Sequence, residues 1–150
     1  MKNIASNPDI VKKPIDLQLN YSKCEDLKTE LMFYSKDLRF LQQLLDRYFD
    51  EMVQNENLDE MRESLMRFQD LCYNCDRLKK RVKDQQKRLI DLMKGEKSLS
   101  HEALLLEQSS IEKSKTSLMG DFKMVKKEIL TIADHVLQVK KDNESFSYNS

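Results

Sequence analysis

Two cysteines three residues apart, Cys72 and Cys75, form the sharpest chemical motif in this 150-residue chain. On a helix, residues at i and i+3 share a face, so the two thiols are spaced to bind a metal or form a redox pair. Zinc needs about four ligands, however, and redox cysteines sit at a helix N-terminus, where the thiol pKa is lowered. This pair falls mid-helix in an apolar stripe, where the expected register sets it opposite Ser117 and Gly120. We interpret the thiols as packing residues, with a metal or redox site as an alternative.

No other residue pattern predicts catalysis or cofactor binding. A di-iron carboxylate centre on a helical bundle requires Glu-x-x-His pairs, but Ser98 precedes His101 by three residues and Ile132 precedes His135. The chain has only two glycines, too few for a phosphate-binding loop. We therefore predict no catalytic residue, no metal ligand and no cofactor, and we expect the protein not to be an enzyme.

Basic residues concentrate in one stretch that has the charge to contact phosphates, namely Arg77, Lys80, Arg81, Lys83, Lys87 and Arg88. Cations gather towards the C-terminal end of a helix because they complement its dipole, and this helix starts with acidic residues. No aromatic residue interrupts the run to stack on bases. We favour an ordinary solvated helix surface, and keep nucleic-acid association as an alternative function.

Three apolar residues widen one side of the first predicted helix: Phe33, Phe40 and Leu44. Each helix of a three-helix bundle touches two neighbours, so we expect this edge to contact the second neighbour or to be covered by residues 15–21. The alternative is an exposed patch that binds a partner protein or a second copy of the chain.

The composition favours a helical chain without bulk attraction to nucleic acid or anionic lipid. Basic and acidic residues number 26 each, and there are only two prolines and no tryptophan. No stretch reaches the roughly 20 apolar residues that span a bilayer, and none resembles a signal peptide. Three cysteines are an odd number and indicate reduced thiols. We therefore expect a cytoplasmic protein with no membrane association.

The elements that position these residues follow from three seams of apolar side chains. A first helix over 22–54 begins with a capping box at Ser22 and Glu25 and then alternates steps of three and four without a miss. Its predicted core residues are Cys24, Leu27, Leu31, Tyr34, Leu38, Leu41, Leu45, Tyr48 and Met52. The apolar phase then breaks at 55–57 and restarts from Leu58, which predicts a turn with Asn57 as N-cap. The alternative is one unbroken helix from 22 to 94.

A second helix over 57–94 ends before Gly95, and a third helix over 100–141 begins at Ser100, with Leu99 and Leu104 spaced as a hydrophobic staple. Residues 1–21 are predicted to be a flexible leader and residues 142–150 a disordered tail. Short connections make neighbouring helices antiparallel. The predicted fold is therefore all-α: an elongated antiparallel three-helix bundle with coiled-coil-like packing.

In its periodicity alone this pattern resembles spectrin-repeat and coiled-coil adaptor architectures. The resemblance implies no activity, but it favours protein–protein interaction through helical faces. A homo-oligomer formed through an overhang of the third helix, or through the edge at Phe33 and Phe40, is one form of that hypothesis.

Overall fold

The computed structural model describes residues 15–96 and 100–149, and side chains as far as residue 144. All regular structure in these residues is helical: α1 spans Leu17–Asn55, α2 spans Leu58–Met93 and α3 spans His101–Asn149. Each helix contacts both others. At 1.5 Å per residue, helices of 39, 36 and 49 residues are about 58, 54 and 73 Å long. The predicted all-α three-helix bundle is confirmed.

The first helix begins earlier than its capping box suggested. Asp16 is the N-cap, and its Oδ1 accepts a hydrogen bond from the backbone N–H of Leu19 at 3.0 Å. Ser22 therefore lies inside the helix, and the predicted start there is wrong. Residues 17–21 of the predicted flexible leader form the first turns of α1, and Ile15 directly precedes its cap. The rest of the predicted leader, residues 1–14, lies outside the described residues.

The break between the first two helices is real. Asn57 caps α2, and its side-chain oxygen accepts hydrogen bonds from the backbone N–H groups of Asp59 and Glu60 at 3.0 and 3.1 Å. The backbone is extended at Glu56 and Asn57, so the chain leaves α1 and reverses. The alternative of one unbroken helix from 22 to 94 is wrong.

The second connection also follows the sequence signals. Gly95 has a φ of 94°, a left-handed conformation that favours glycine after the last helical turn. Ser100 Oγ accepts a hydrogen bond from the backbone N–H of Ala103 at 3.1 Å, as an N-cap does. The proposed staple involves Leu99, which lies outside the described residues.

The third helix is longer than expected. It continues to Asn149, past residue 141, where the sequence predicted it to end. His135 Nδ1 lies 2.5 Å from Glu56 Oε1, at the turn between α1 and α2. Val136 is still buried in the core, so α3 projects beyond the turn from about residue 140, by about 15 Å. The described side chains from Lys140 to Glu144 on this overhang are exposed.

The core is built largely from the predicted heptad positions. In α1, Tyr34 and Tyr48 are half-buried and the other seam residues are buried. Leu58 is 59% exposed because it begins α2 at the turn, so its predicted core position is wrong. Leu71 of α2 is buried in the core.

Contacts between helices fix an antiparallel register for neighbours. Gln86 Nε2 donates to Glu25 Oε1 at 2.6 Å, which sets Cys24 near residue 87. Between α2 and α3, Arg67 forms a two-pronged pair with Glu128. Since α2 reverses between them, α1 and α3 run parallel.

A polar layer interrupts the apolar core near the end of the bundle where α1 and α3 begin and α2 ends. Gln85 is fully buried and Gln108 is 4% exposed. Gln85 Nε2 donates to Gln108 Oε1 at 3.2 Å and to the Leu104 carbonyl at 2.8 Å. The Cys24 thiol lies 3.6 Å from the same Gln108 oxygen. Gln85 Oε1 and Gln108 Nε2 are buried without a hydrogen-bond partner in the described part of the chain.

Candidate interaction surfaces

The aromatic edge of α1 is exposed. Phe33 is 58% exposed and Phe40 is 50% exposed, whereas Leu44 is half-buried and packs against the core. Our favoured interpretation, that the edge contacts a second helix, is therefore wrong for the two phenylalanines. Residues 17–21 cannot cover them either, because they form the first turns of α1 itself.

The aromatic edge lies on the side of α1 that faces α3. Glu30 and Asp37 flank Phe33 and Phe40 on the helix, and they pair with Lys115 and Lys126 of α3 at 3.1 and 3.5 Å. Residues three or four apart on a helix are neighbours. The phenylalanines therefore border the outer side of the contact between α1 and α3.

The α3 side of this contact also combines apolar and charged side chains. A hollow of about 420 Å³ on α3 includes Phe122, Lys123, Lys126 and Leu130 in its lining. Phe122 is buried and its ring lies 4.9 Å from that of Tyr34, which ties the hollow to α1. We define the α1/α3 groove as the surface between the Phe33–Phe40 edge and this hollow.

The α1/α3 groove carries more positive than negative charge. The Lys36 ammonium lies 5.9 Å from the centroid of the Phe33 ring, close enough for a cation–π contact. Lys36 and Lys123 are exposed, and neither forms an ion pair with any described residue. The Asp37 carboxylate is paired with Lys126, and the hollow has one carboxylate, Asp134, against three lysines in its lining. The groove thus offers apolar surface bordered by cations.

The basic stretch of α2 remains largely in solvent. Five of its six cations are exposed: Arg77, Lys80, Lys83, Lys87 and Arg88. The guanidinium of Arg77 lies 5.7 Å from the centroid of the Tyr73 ring, and that ring is itself 62% exposed. An aromatic side chain therefore adjoins the run, which the sequence reasoning had not recognised.

Arg81 does not belong to the exposed set. Its Nη2 lies 2.9 Å from Glu107 Oε1, and its Nε donates to the other carboxylate oxygen at 3.3 Å. Further hydrogen bonds run to the hydroxyls of Ser110 and Ser114. The carboxylate raises the pKa of Arg81 further above its usual range. The predicted phosphate contact through Arg81 is therefore wrong, because its guanidinium clamps α2 to α3.

The cysteine pair behaves as part of the core. Cys75 is buried, with its sulfur 3.8 Å from the Ser35 hydroxyl oxygen, and Cys72 is half-buried. Burial raises the pKa of both thiols, which disfavours the thiolate that metal binding or redox exchange requires. In the described residues, no group of three or more His, Cys, Asp or Glu side chains is arranged to hold a metal ion.

One part of our argument for the cysteines is wrong. The expected register sets Gly120 opposite the cysteine pair, but Gly120 is exposed. A methyl group added at this glycine would meet no atom within 4 Å. Ser117 is exposed as well. The thiols are packed by the apolar seams, and small residues opposite them are not required.

Comparisons with known proteins give no functional lead. No family model matches the chain, and neither a curated protein nor a solved structure is significantly similar to it. None of the helices in the described ranges combines the length and apolarity needed to cross a lipid bilayer.

Sequence reasoning missed Lys123 and Leu130 as neighbours of the aromatic edge. They lie some ninety residues away from it along the chain, and only the parallel placement of α1 and α3 brings the two together. The available signal was the seven-residue spacing that Phe33 and Phe40 share with Lys123 and Leu130.

Proposed function

We propose that this protein is a non-enzymatic, cytoplasmic helical-bundle protein that binds another protein chain through its helical faces. The observation that carries the proposal is the exposure of Phe33 and Phe40, two large aromatic side chains a heptad apart on one edge of α1. Aromatic side chains are enriched among the anchors of protein interfaces. The three free cysteines support a reducing compartment such as the cytoplasm.

The size of the aromatic edge indicates what kind of contact it makes. A fully buried phenylalanine contributes roughly 150–250 Å², so two that are 58% and 50% exposed offer about 200 Å² together. A standard interface buries about 800 Å² on each partner. The phenylalanines are thus anchors within a larger surface, and a partner has to cover other parts of the α1/α3 groove as well.

A site-specific photocrosslinker tests the proposal in cells. We expect a crosslinking amino acid in place of Phe40 to form one discrete adduct with a protein. The same amino acid at Tyr73, which is equally accessible on α2, serves as the control. The adduct should disappear when excess unlabelled chain is added to a lysate before irradiation.

The oligomeric state of the purified chain distinguishes a second copy from another partner. Sedimentation at increasing protein concentration measures self-association directly. A strict monomer at high concentration, together with no adduct at Phe40, would refute the proposed interaction role.

Nucleic-acid association is the second candidate, and the cation–π contact between Arg77 and Tyr73 within an exposed basic surface favours it. Aromatic and cationic side chains together contact bases and backbone in single strands. We expect salt-sensitive retention on single-stranded RNA that is lost in a Lys80→Glu, Lys83→Glu variant. Unchanged retention in that variant, or none for the parent chain, would dismiss this candidate.

A further inference from the structure

We infer that the α1/α3 groove binds an acidic amphipathic helix of a partner protein, which completes the bundle as a fourth helix. This inference rests on the proposed interaction function and specifies the chemistry of the partner. Three observations carry it: the heptad spacing of the two exposed phenylalanines, the excess of lysines around them, and the pairing of Asp37 with Lys126.

The spacing of the apolar residues matches a helix and not an extended strand. Phe33 and Phe40 are seven residues apart, about 10.5 Å along α1, and Leu130 is an apolar residue on the α3 side of the groove. A helix with apolar side chains at heptad positions presents one contact at each such interval. Its side chains therefore meet both phenylalanines and reach the hollow beside Leu130.

The charge around these residues selects an acidic partner. Lys36 and Lys123 are exposed without an ion pair to any described residue, and Lys126 already neutralises Asp37. The row of Phe33 and Phe40 continues to Arg47 at one end and to Asp26 at the other, and both are exposed. Glutamate or aspartate side chains beside the apolar stripe of an incoming helix would pair with these cations, as flanking charges do in coiled coils.

The same charge disfavours a symmetric dimer through this groove. An isologous contact places a surface against its own copy. Lys36 and Lys123 of one chain would then lie against a surface with the same excess of lysines, and like charges at an interface oppose association. The groove is consequently assigned to a different chain.

Two synthetic peptides test the inference with full-length protein. The probe is an amphipathic helix of about four heptads, with leucine at the core positions and glutamate at the flanking positions; the control carries lysine at those flanking positions. In fluorescence anisotropy we expect the acidic peptide to bind at least about tenfold more tightly than the basic one. Added salt should weaken the acidic complex because it screens the charges.

Protein variants then locate the site. Phe33→Ala with Phe40→Ala should weaken binding of the acidic peptide about tenfold, and Lys123→Glu should reverse the preference between the two peptides. Met32→Ala is the matched control, because Met32 is also about half exposed (51%) but lies one heptad from Glu25, on the side of α1 that faces α2. Circular dichroism checks that every variant keeps its helices.

Several results would overturn the inference. These are no binding of the acidic peptide, equal binding of both peptides, or loss of binding in Met32→Ala as large as in the double phenylalanine variant. Binding of single-stranded RNA or of anionic vesicles that depends on Phe33 and Phe40, without peptide binding, would do the same. An adduct at Phe40 with no acidic-peptide binding refutes the acidic helix alone, whereas absence of both refutes the proposed function too.

Discussion

Replacing the buried glutamines with leucine is the sharpest test of how this bundle is held together. Gln85 and Gln108 share one hydrogen bond of 3.2 Å, yet Gln85 Oε1 and Gln108 Nε2 are buried without a partner in the described residues. Leucine is close to glutamine in size and carries no polar atom. The double variant Gln85→Leu, Gln108→Leu thus removes both unpaired atoms and retains the packing.

The change in the free energy of unfolding should have opposite signs in the single and double variants. Leaving a buried polar group unpaired costs about 1–3 kcal/mol. Gln85→Leu alone removes the amide donor to Gln108 and leaves that side chain with only the weak Cys24 thiol, so we expect a loss of about 1–2 kcal/mol. The Leu104 carbonyl keeps its donor within α3. The double variant should instead gain about 2 kcal/mol, since both unpaired atoms are gone.

Chemical denaturation followed by circular dichroism measures these differences as shifts in the midpoint. In thermal unfolding, a gain of about 2 kcal/mol corresponds to about 4–8 °C for a chain of this size. Gln42→Leu is the control, because Gln42 is exposed and hydrogen-bonds only Asp46 on its own helix. Its effect should stay within about 0.5 kcal/mol.

The reasoning fails if the double variant is less stable than the parent chain. It also fails if the two single effects simply add to the double effect, because the shared hydrogen bond requires the two positions to be coupled.

Three further predictions concern the turns and the titratable groups. Gly95→Ala should lower the free energy of unfolding by about 1 kcal/mol because the φ of Gly95 is 94°. Gly120→Ala, inside α3, should raise it by up to about 1 kcal/mol. Lower stability in both variants, measured by thermal unfolding, would contradict the backbone argument. The hydrogen bond from Gln86 lowers the pKa of Glu25 below its ordinary value of 4.5. The stabilisation from this hydrogen bond is therefore present above pH 4.5 and is lost as the pH falls through the lowered pKa. Glu25→Gln should flatten the fall of the denaturation midpoint over this acidic range, and an unchanged slope would refute the prediction. Burial raises the pKa of Cys75 above 9.0, so its alkylation at neutral pH should be much slower in the folded chain than in urea, and equal rates would show an accessible thiol.

The helices and the turn between the first two could be predicted from the sequence because their causes are local. The seam from Cys24 to Met52 has one period, and it loses phase where Asn57 supplies a cap. The start of α1 was misplaced because two caps compete over a short distance. Asp16 prevails over Ser22, and a helix that begins there buries Ile15 against the core.

The sequence identified only the α1 side of the candidate groove. Phe33 and Phe40 stood out beside the stripe of α1, but whether a neighbouring helix covers them depends on how the three helices are arranged. Likewise, Arg81 was indistinguishable from the other cations of its stretch until α3 placed Glu107 beside it. Residues far apart in sequence carry no local signal of their pairing.

The sequence by itself determined three amphipathic helices and the points where the chain reverses, since helical periodicity and capping act over a few residues. The tertiary structure decided which sides of those helices stay in solvent. Three helices that surround a single core cannot bury every flank of a wide apolar stripe, and the flank left open is set by their register and order around the core. The exposed Phe33–Phe40 edge, with the α3 lysines beside it, is the flank that this arrangement leaves uncovered.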